Sequence, residues 1–131
     1  MIGRACAGLA LFLFAGAAVA QDDQIPEYTG PERAASAMAA EIRVLDKLTG
    51  DLKDVQIARG TMETYGRLNI VLGDCRYPED DPSSDAYAWL EIRDDAMDEP
   101  AFTGWMVASS PALNALDHVR YDVWVLRCIT V

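Results

Sequence analysis

The sequence predicts an all-β domain, a small antiparallel sandwich or open barrel of about six to eight strands with one short helix near the C-terminus and one disulfide. Two observations predict the strands. Short β-branched and aromatic runs recur from Glu41 onward, bounded by glycine, proline and Asx residues. These runs follow one another through short turns, which is the pattern of an antiparallel fold. A third observation predicts the disulfide: beyond the N-terminal leader only Cys75 and Cys128 remain, and two cysteines in an exported chain form a bridge.

The leader is residues 1–20. Arg4 supplies a positive start, Ala7 to Ala17 an apolar run, and Ala18-Val19-Ala20 the small-x-small pattern cut by signal peptidase. Cleavage after Ala20 is expected to release the chain into an exported compartment, with no membrane insertion afterwards. Residues 21–40 read as a flexible tail, because two prolines, a glycine and mostly polar residues bury too little to offset ordering. Ala34 to Ala40 adds at most a helical turn or two. One β domain then spans residues 41–131.

Within that domain, Ile42–Leu48 and Leu52–Ile57 read as strands joined by Thr49-Gly50-Asp51. Arg59-Gly60 is the next turn. Thr61 to Leu72 is strand-like, with Gly66 marking a bulge or tight approach. Gly73 to Asp85 reads as a polar loop, Ala86–Arg93 as a strand, and Asp94–Pro100 as a second acidic loop. Phe102–Val107 is another strand. Ser110 and Pro111 suit the first positions of a short helix over Ser109–Leu116, with Leu113 and Leu116 on one side. The last strand, Tyr121–Ile129, alternates Trp124, Leu126 and Cys128 against Val123, Val125 and Ile129. Both faces are apolar, so it is expected in the middle of the fold.

Charge narrows the partners. The chain carries 11 basic and 21 acidic residues, a net charge of −10, and loss of Arg4 makes the exported part more acidic still. Such a surface disfavours nucleic acid and anionic lipid.

Several separated stretches are familiar as a set. They are Leu45-Asp46-Lys47-Leu48-Thr49, Gly66-Arg67-Leu68, Asp74-Cys75-Arg76-Tyr77-Pro78, and Gly104-Trp105-Met106 with Ala108-Ser109-Ser110-Pro111. Leu116-Asp117-His118 and Tyr121-Asp122-Val123-Trp124-Val125 with Cys128 complete it. Together they resemble a family of uncharacterised exported proteins of Gram-negative bacteria, domain-of-unknown-function family 2155. The resemblance implies one domain, export and a Cys75–Cys128 pair, and implies no catalytic residue.

Candidate chemistry is sparse. His118 is the only histidine. With Ser110 nearby it could belong to a small secreted hydrolase, but no Gly-x-Ser-x-Gly elbow is present. The simpler reading has Ser110 capping the helix and His118 closing it. Asp81, Ser83 and Asp85 are spaced like the first ligands of a calcium loop, yet Ala86 and Ile92 stand where glycine and glutamate are needed. No zinc, haem or phosphate-cradling set is present, and no cofactor is expected. The aromatics are more informative, because both faces of several strands are apolar while two sheets share one interior. Tyr87 and Trp89 face away from Ala88, Leu90 and Ile92, which makes Tyr87, Trp89 and the nearby Tyr77 the candidate partner-binding surface. The expected function is a non-catalytic periplasmic module that docks a protein of the cell envelope. The Ser110/His118 hydrolase and a calcium-stabilised binding domain are the alternatives.

Overall fold

The structure is a computed structural model and describes residues 33–130; the predicted leader, its expected cleavage site and most of the predicted tail lie outside them. Eight strands follow in chain order: β1 (Ala34–Ser36), β2 (Ala39–Asp46), β3 (Leu52–Ala58), β4 (Met62–Tyr65), β5 (Leu68–Pro78), β6 (Tyr87–Asp94), β7 (Phe102–Val107) and β8 (Tyr121–Ile129). They form two antiparallel sheets. One has the order β1–β5–β6–β7, with β4 also paired to β5, and the other has the order β3–β2–β8.

Alternation builds the interior. Ala40, Ile42 and Val44 of β2, Leu68, Ile70 and Leu72 of β5, and Ala88, Leu90 and Ile92 of β6 are all fully buried. With Ile57, Met106, Val123 and Val125 they make one core cluster drawn from both sheets. The Cys75–Cys128 disulfide joins β5 to β8, and so one sheet to the other. Its sequence separation of 53 corresponds to roughly 4 kcal/mol of lost chain entropy in the unfolded state.

Five expectations are corrected. Residues 34–40 are not tail or helix: Ala34–Ser36 pairs with β5, and β2 already begins at Ala39. Their alanines are small enough to lie flat against a neighbouring strand, and Ala37 and Ala40 are buried there. The polar stretch after Gly73 is strand as far as Pro78, because β1 and β6 supply partners on both sides. Tyr121–Ile129 is an edge strand rather than a central one, and β2 lies between it and β3.

The β2–β8 register shifts between Glu41 and Ile42, pairing Arg127 with Glu41 and Val125 with Ile42. Leu126 is the extra residue of that bulge, so Cys128 faces inward with Val125 instead of outward with Trp124.

No helix forms between β7 and β8. The segment makes isolated turns, with Ser110 N–H donating to Val107 O and Leu113 N–H to Ser110 O. Leu113 is 74% exposed while Leu116 is 7% exposed, so the two leucines do not share a side. The Asn114 amide donates to the Trp105 carbonyl at 2.9 Å and satisfies a backbone acceptor of β7. Anchoring at Asn114 and Leu116 outweighs the weak propensity of so short a helix.

Candidate functional site

The outward face of the five-stranded sheet carries two of the chain's three tryptophans, neither of them part of the core cluster. On β6, Ala88, Leu90 and Ile92 point in, so Tyr87, Trp89, Glu91 and Arg93 point out. Register places Trp105 of β7 directly opposite Trp89. Their rings meet edge to face, with centroids 5.5 Å apart and planes at 72°, and they are 37% and 38% exposed.

Beneath them β5 is irregular. Its register with β6 shifts between Leu72 and Asp74, leaving Gly73 as the extra residue. A Cβ on Gly73 would stand 2.5 Å from Trp89 Cδ1, so the indole rests where only glycine leaves room. Val71 of β5 and Met62 of β4, opposite each other, continue the outward apolar surface, and Met62 is 55% exposed. Val107 lies opposite Tyr87 at the other end.

Tyr87 and Trp89 thus share one face, as alternation predicted. Tyr77 does not join them. It is paired with Ala35 and packs against the core from the other side of β5, one residue beyond Arg76, which is the partner of Tyr87. The bulge at Gly73 does not restore it, since a strand side chain alternates again immediately afterwards. Trp105 takes the place of Tyr77 in the cluster. The signal that could have found it is the adjacency of β6 and β7, two strands joined by a short connection, each with one outward tryptophan.

His118 belongs to a different environment. It is buried, and its Nδ1 accepts the backbone N–H groups of Arg120 at 3.0 Å and Tyr121 at 3.1 Å. That assigns the proton to Nε2, which donates to Asp94 Oδ2 at 2.7 Å. The Asp94 carboxyl is held below the usual carboxylate range by the Ala96 N–H first, then by His118 and Arg67, against the opposing effect of burial. Arg120 clamps Asp46 with contacts of 2.8 and 3.2 Å. That clamp, with the N–H groups of Leu48 and Thr49, lowers the Asp46 carboxyl to about 2. Lys47 Nζ donates to the His118 carbonyl at 2.6 Å. A triad histidine needs one nitrogen for its carboxylate and the other for the serine. In His118 the second nitrogen is taken by two backbone donors, and neither donor is Ser110. His118 fastens the entry of β8 to the end of β6 rather than closing a helix.

The calcium-like spacing also resolves into local bonds. Asp81 Oδ1 accepts the Ser83 hydroxyl at 3.1 Å. The Asp85 carboxylate accepts the N–H groups of Ala86 and Ser109 and, at 2.6 Å, the Ser109 hydroxyl. Burial pushes the Asp85 carboxyl up, but these hydrogen bonds outweigh it and hold it below its ordinary value. A shallow cleft of about 220 Å³ runs between this loop, Ser109 and Leu126–Arg127. Among the described residues, no three His, Cys, Asp or Glu side chains gather as a metal site requires.

The stretch that holds Trp89, Trp105, Cys75 and Cys128 coincides with a family match. A family model described as "Uncharacterized protein conserved in bacteria (DUF2155)" covers residues 40–128. The chain belongs to the DUF2155 family. A relative, "Uncharacterized protein RP359" of Rickettsia prowazekii (strain Madrid E), is 29% identical over 91 residues, which is 67% of this chain and 59% of that protein. The chain therefore spans about three fifths of the length of this curated relative. No solved structure matches. Membership brings no assigned chemistry to Trp89, Trp105 or His118, and their roles rest on geometry.

Proposed function

We propose that this DUF2155 domain is a non-catalytic periplasmic interaction module, folded as a sandwich of its two sheets, that docks a protein partner of the cell envelope on the outward face of the five-stranded sheet. The observation that carries the reading is the exposed Trp89–Trp105 pair seated over Gly73. Two adjacent, partly exposed tryptophans leave apolar area in water that a partner's surface can remove, and tryptophan is enriched among residues that dominate binding energy. The pair is held by a continuous sheet, so little ordering entropy is lost on docking. The leader pattern and the cystine support an exported, oxidising location. The engagement of both His118 nitrogens supports a structural role for the one histidine.

Capture from envelope extract tests this, with the exported chain as bait beside its Trp89→Ala and Trp105→Ala variants. Each variant should stay folded by circular dichroism and lose the captured partner by roughly 30-fold, the effect of a 2 kcal/mol hot spot. Full capture by both folded variants would refute the face.

A further inference from the structure

Among residues 33–130 the excess negative charge is concentrated at two places. Within residues 33–130, four carboxylates lie between Pro78 and Tyr87 and four between Arg93 and Phe102, and neither stretch contains a lysine or arginine. Elsewhere in that range nine acidic side chains are balanced by ten basic ones. The excess therefore sits entirely in the two stretches at the ends of β6, the strand of Trp89. Asp85 and Asp94 are turned inward, to Ser109 and His118. The other six are exposed: Glu79, Asp80 and Asp81 before β6, and Asp95, Asp98 and Glu99 after it. On the face between them, Glu91 is paired with Arg93, and Asp74 lies within reach of Arg59. The aromatic centre is thus locally balanced, and both ends are strongly acidic. At about 3.3 Å per residue, the eight residues of β6 separate the two ends by roughly 25 Å.

We infer that this face binds an extended cationic segment of the partner protein, with its apolar centre on Trp89 and Trp105 and with lysines or arginines on either side reaching the two acidic loops. The inference rests on the Trp face being the docking surface. Charge selects the occupant. A second copy of this chain would bring its own acidic loops to the same face. The chain's own residues 21–32 contain Asp22, Asp23, Glu27 and Glu32 and no base, so they are repelled as well. Nucleic acid and anionic lipid are disfavoured for the same reason. An extended segment needs about seven or eight residues to span the distance, which sets the spacing of its two basic ends.

Three synthetic 12-residue peptides test the inference against the exported chain by tryptophan fluorescence and calorimetry. The first has paired Lys/Arg at both ends and an eight-residue Val-Pro repeat as its centre, the second has glutamates at the ends, and the third keeps the basic ends on a Gly-Ser centre. The first should bind at least about tenfold tighter than either other, with the advantage over the glutamate peptide shrinking as salt is raised. Trp89→Ala should remove the advantage of the apolar centre. Combined Asp80→Asn, Asp81→Asn, Asp98→Asn and Glu99→Asn should remove that of the basic ends. Equal binding of the first two peptides, equal binding of the first and third, or no binding of any would overturn the inference. If no peptide binds while Trp89→Ala still abolishes capture from envelope extract, the cationic segment is refuted and the docking face stands. If capture survives that substitution, the docking face falls too.

Discussion

Gly73→Ala is the sharpest single perturbation of the aromatic face. The added Cβ would lie 2.5 Å from Trp89 Cδ1 and 3.3 Å from Cγ, well inside contact distance, so the indole must move. It can do so, because its 37% exposure leaves the solvent side open. Two losses follow. The edge-to-face contact with Trp105 contributes about 0.5–1.5 kcal/mol, and lifting the ring off the strand adds overpacking strain of roughly 1 kcal/mol. Against these, replacing glycine by alanine restricts the unfolded chain and returns about 0.4–1 kcal/mol. The net expectation is a loss of about 1 kcal/mol, or roughly 4–8 °C in melting temperature for a domain of this size, together with shifted tryptophan emission. Urea denaturation followed by fluorescence and by far-UV circular dichroism measures both quantities. A variant as stable as the parent with unchanged emission would refute the seating of Trp89 on Gly73. A loss beyond about 4 kcal/mol would show instead that the bulge carries the sheet.

Two further predictions concern the buried His118–Asp94 pair and the Arg120–Asp46 clamp. His118→Ala leaves the Asp94 carboxylate without its buried partner and two backbone donors without an acceptor, so it should cost about 3 kcal/mol in urea denaturation; parental stability would show that the cluster is not structural. The Asp46 carboxyl is lowered from its ordinary 3.8 to about 2 in the folded chain. Its contribution is therefore present above pH 4 and lost as the pH falls toward 2, because the unfolded chain takes up the proton first. Asp46→Asn should flatten that limb of the stability–pH curve, and a curve unchanged by the substitution would refute the clamp.

Much of this was legible in the chain. The strands of β2, β3, β6 and β7 follow from alternation and turn residues, and the disulfide from the two cysteines that remain beyond the expected leader. The failures share a physical origin in partners remote in sequence. Leu113 and Leu116 look like one helical side until Asn114 finds the Trp105 carbonyl and Leu116 the core. Ala34–Ser36 has no strand signal of its own and is a strand because β5 offers an edge. The facing of Cys128 and the seat under Trp89 both depend on bulges, at Leu126 and Gly73, which local composition does not reveal. Trp89 was readable as an outward residue, but its companion depended on strand order, so Tyr77 stood where Trp105 belongs.

The central claim is that partners meet the outward face of the five-stranded sheet. Site-specific photocrosslinking in intact cells tests it most directly, with a photoreactive residue at Thr103 or at Gln56. Thr103 lies opposite Glu91 on the tryptophan face, and Gln56 is exposed on β3 of the other sheet. The account predicts a discrete crosslinked species from position 103, lost when Trp89→Ala is combined with it, and none from position 56. Adducts from position 56 with none from position 103 would contradict it.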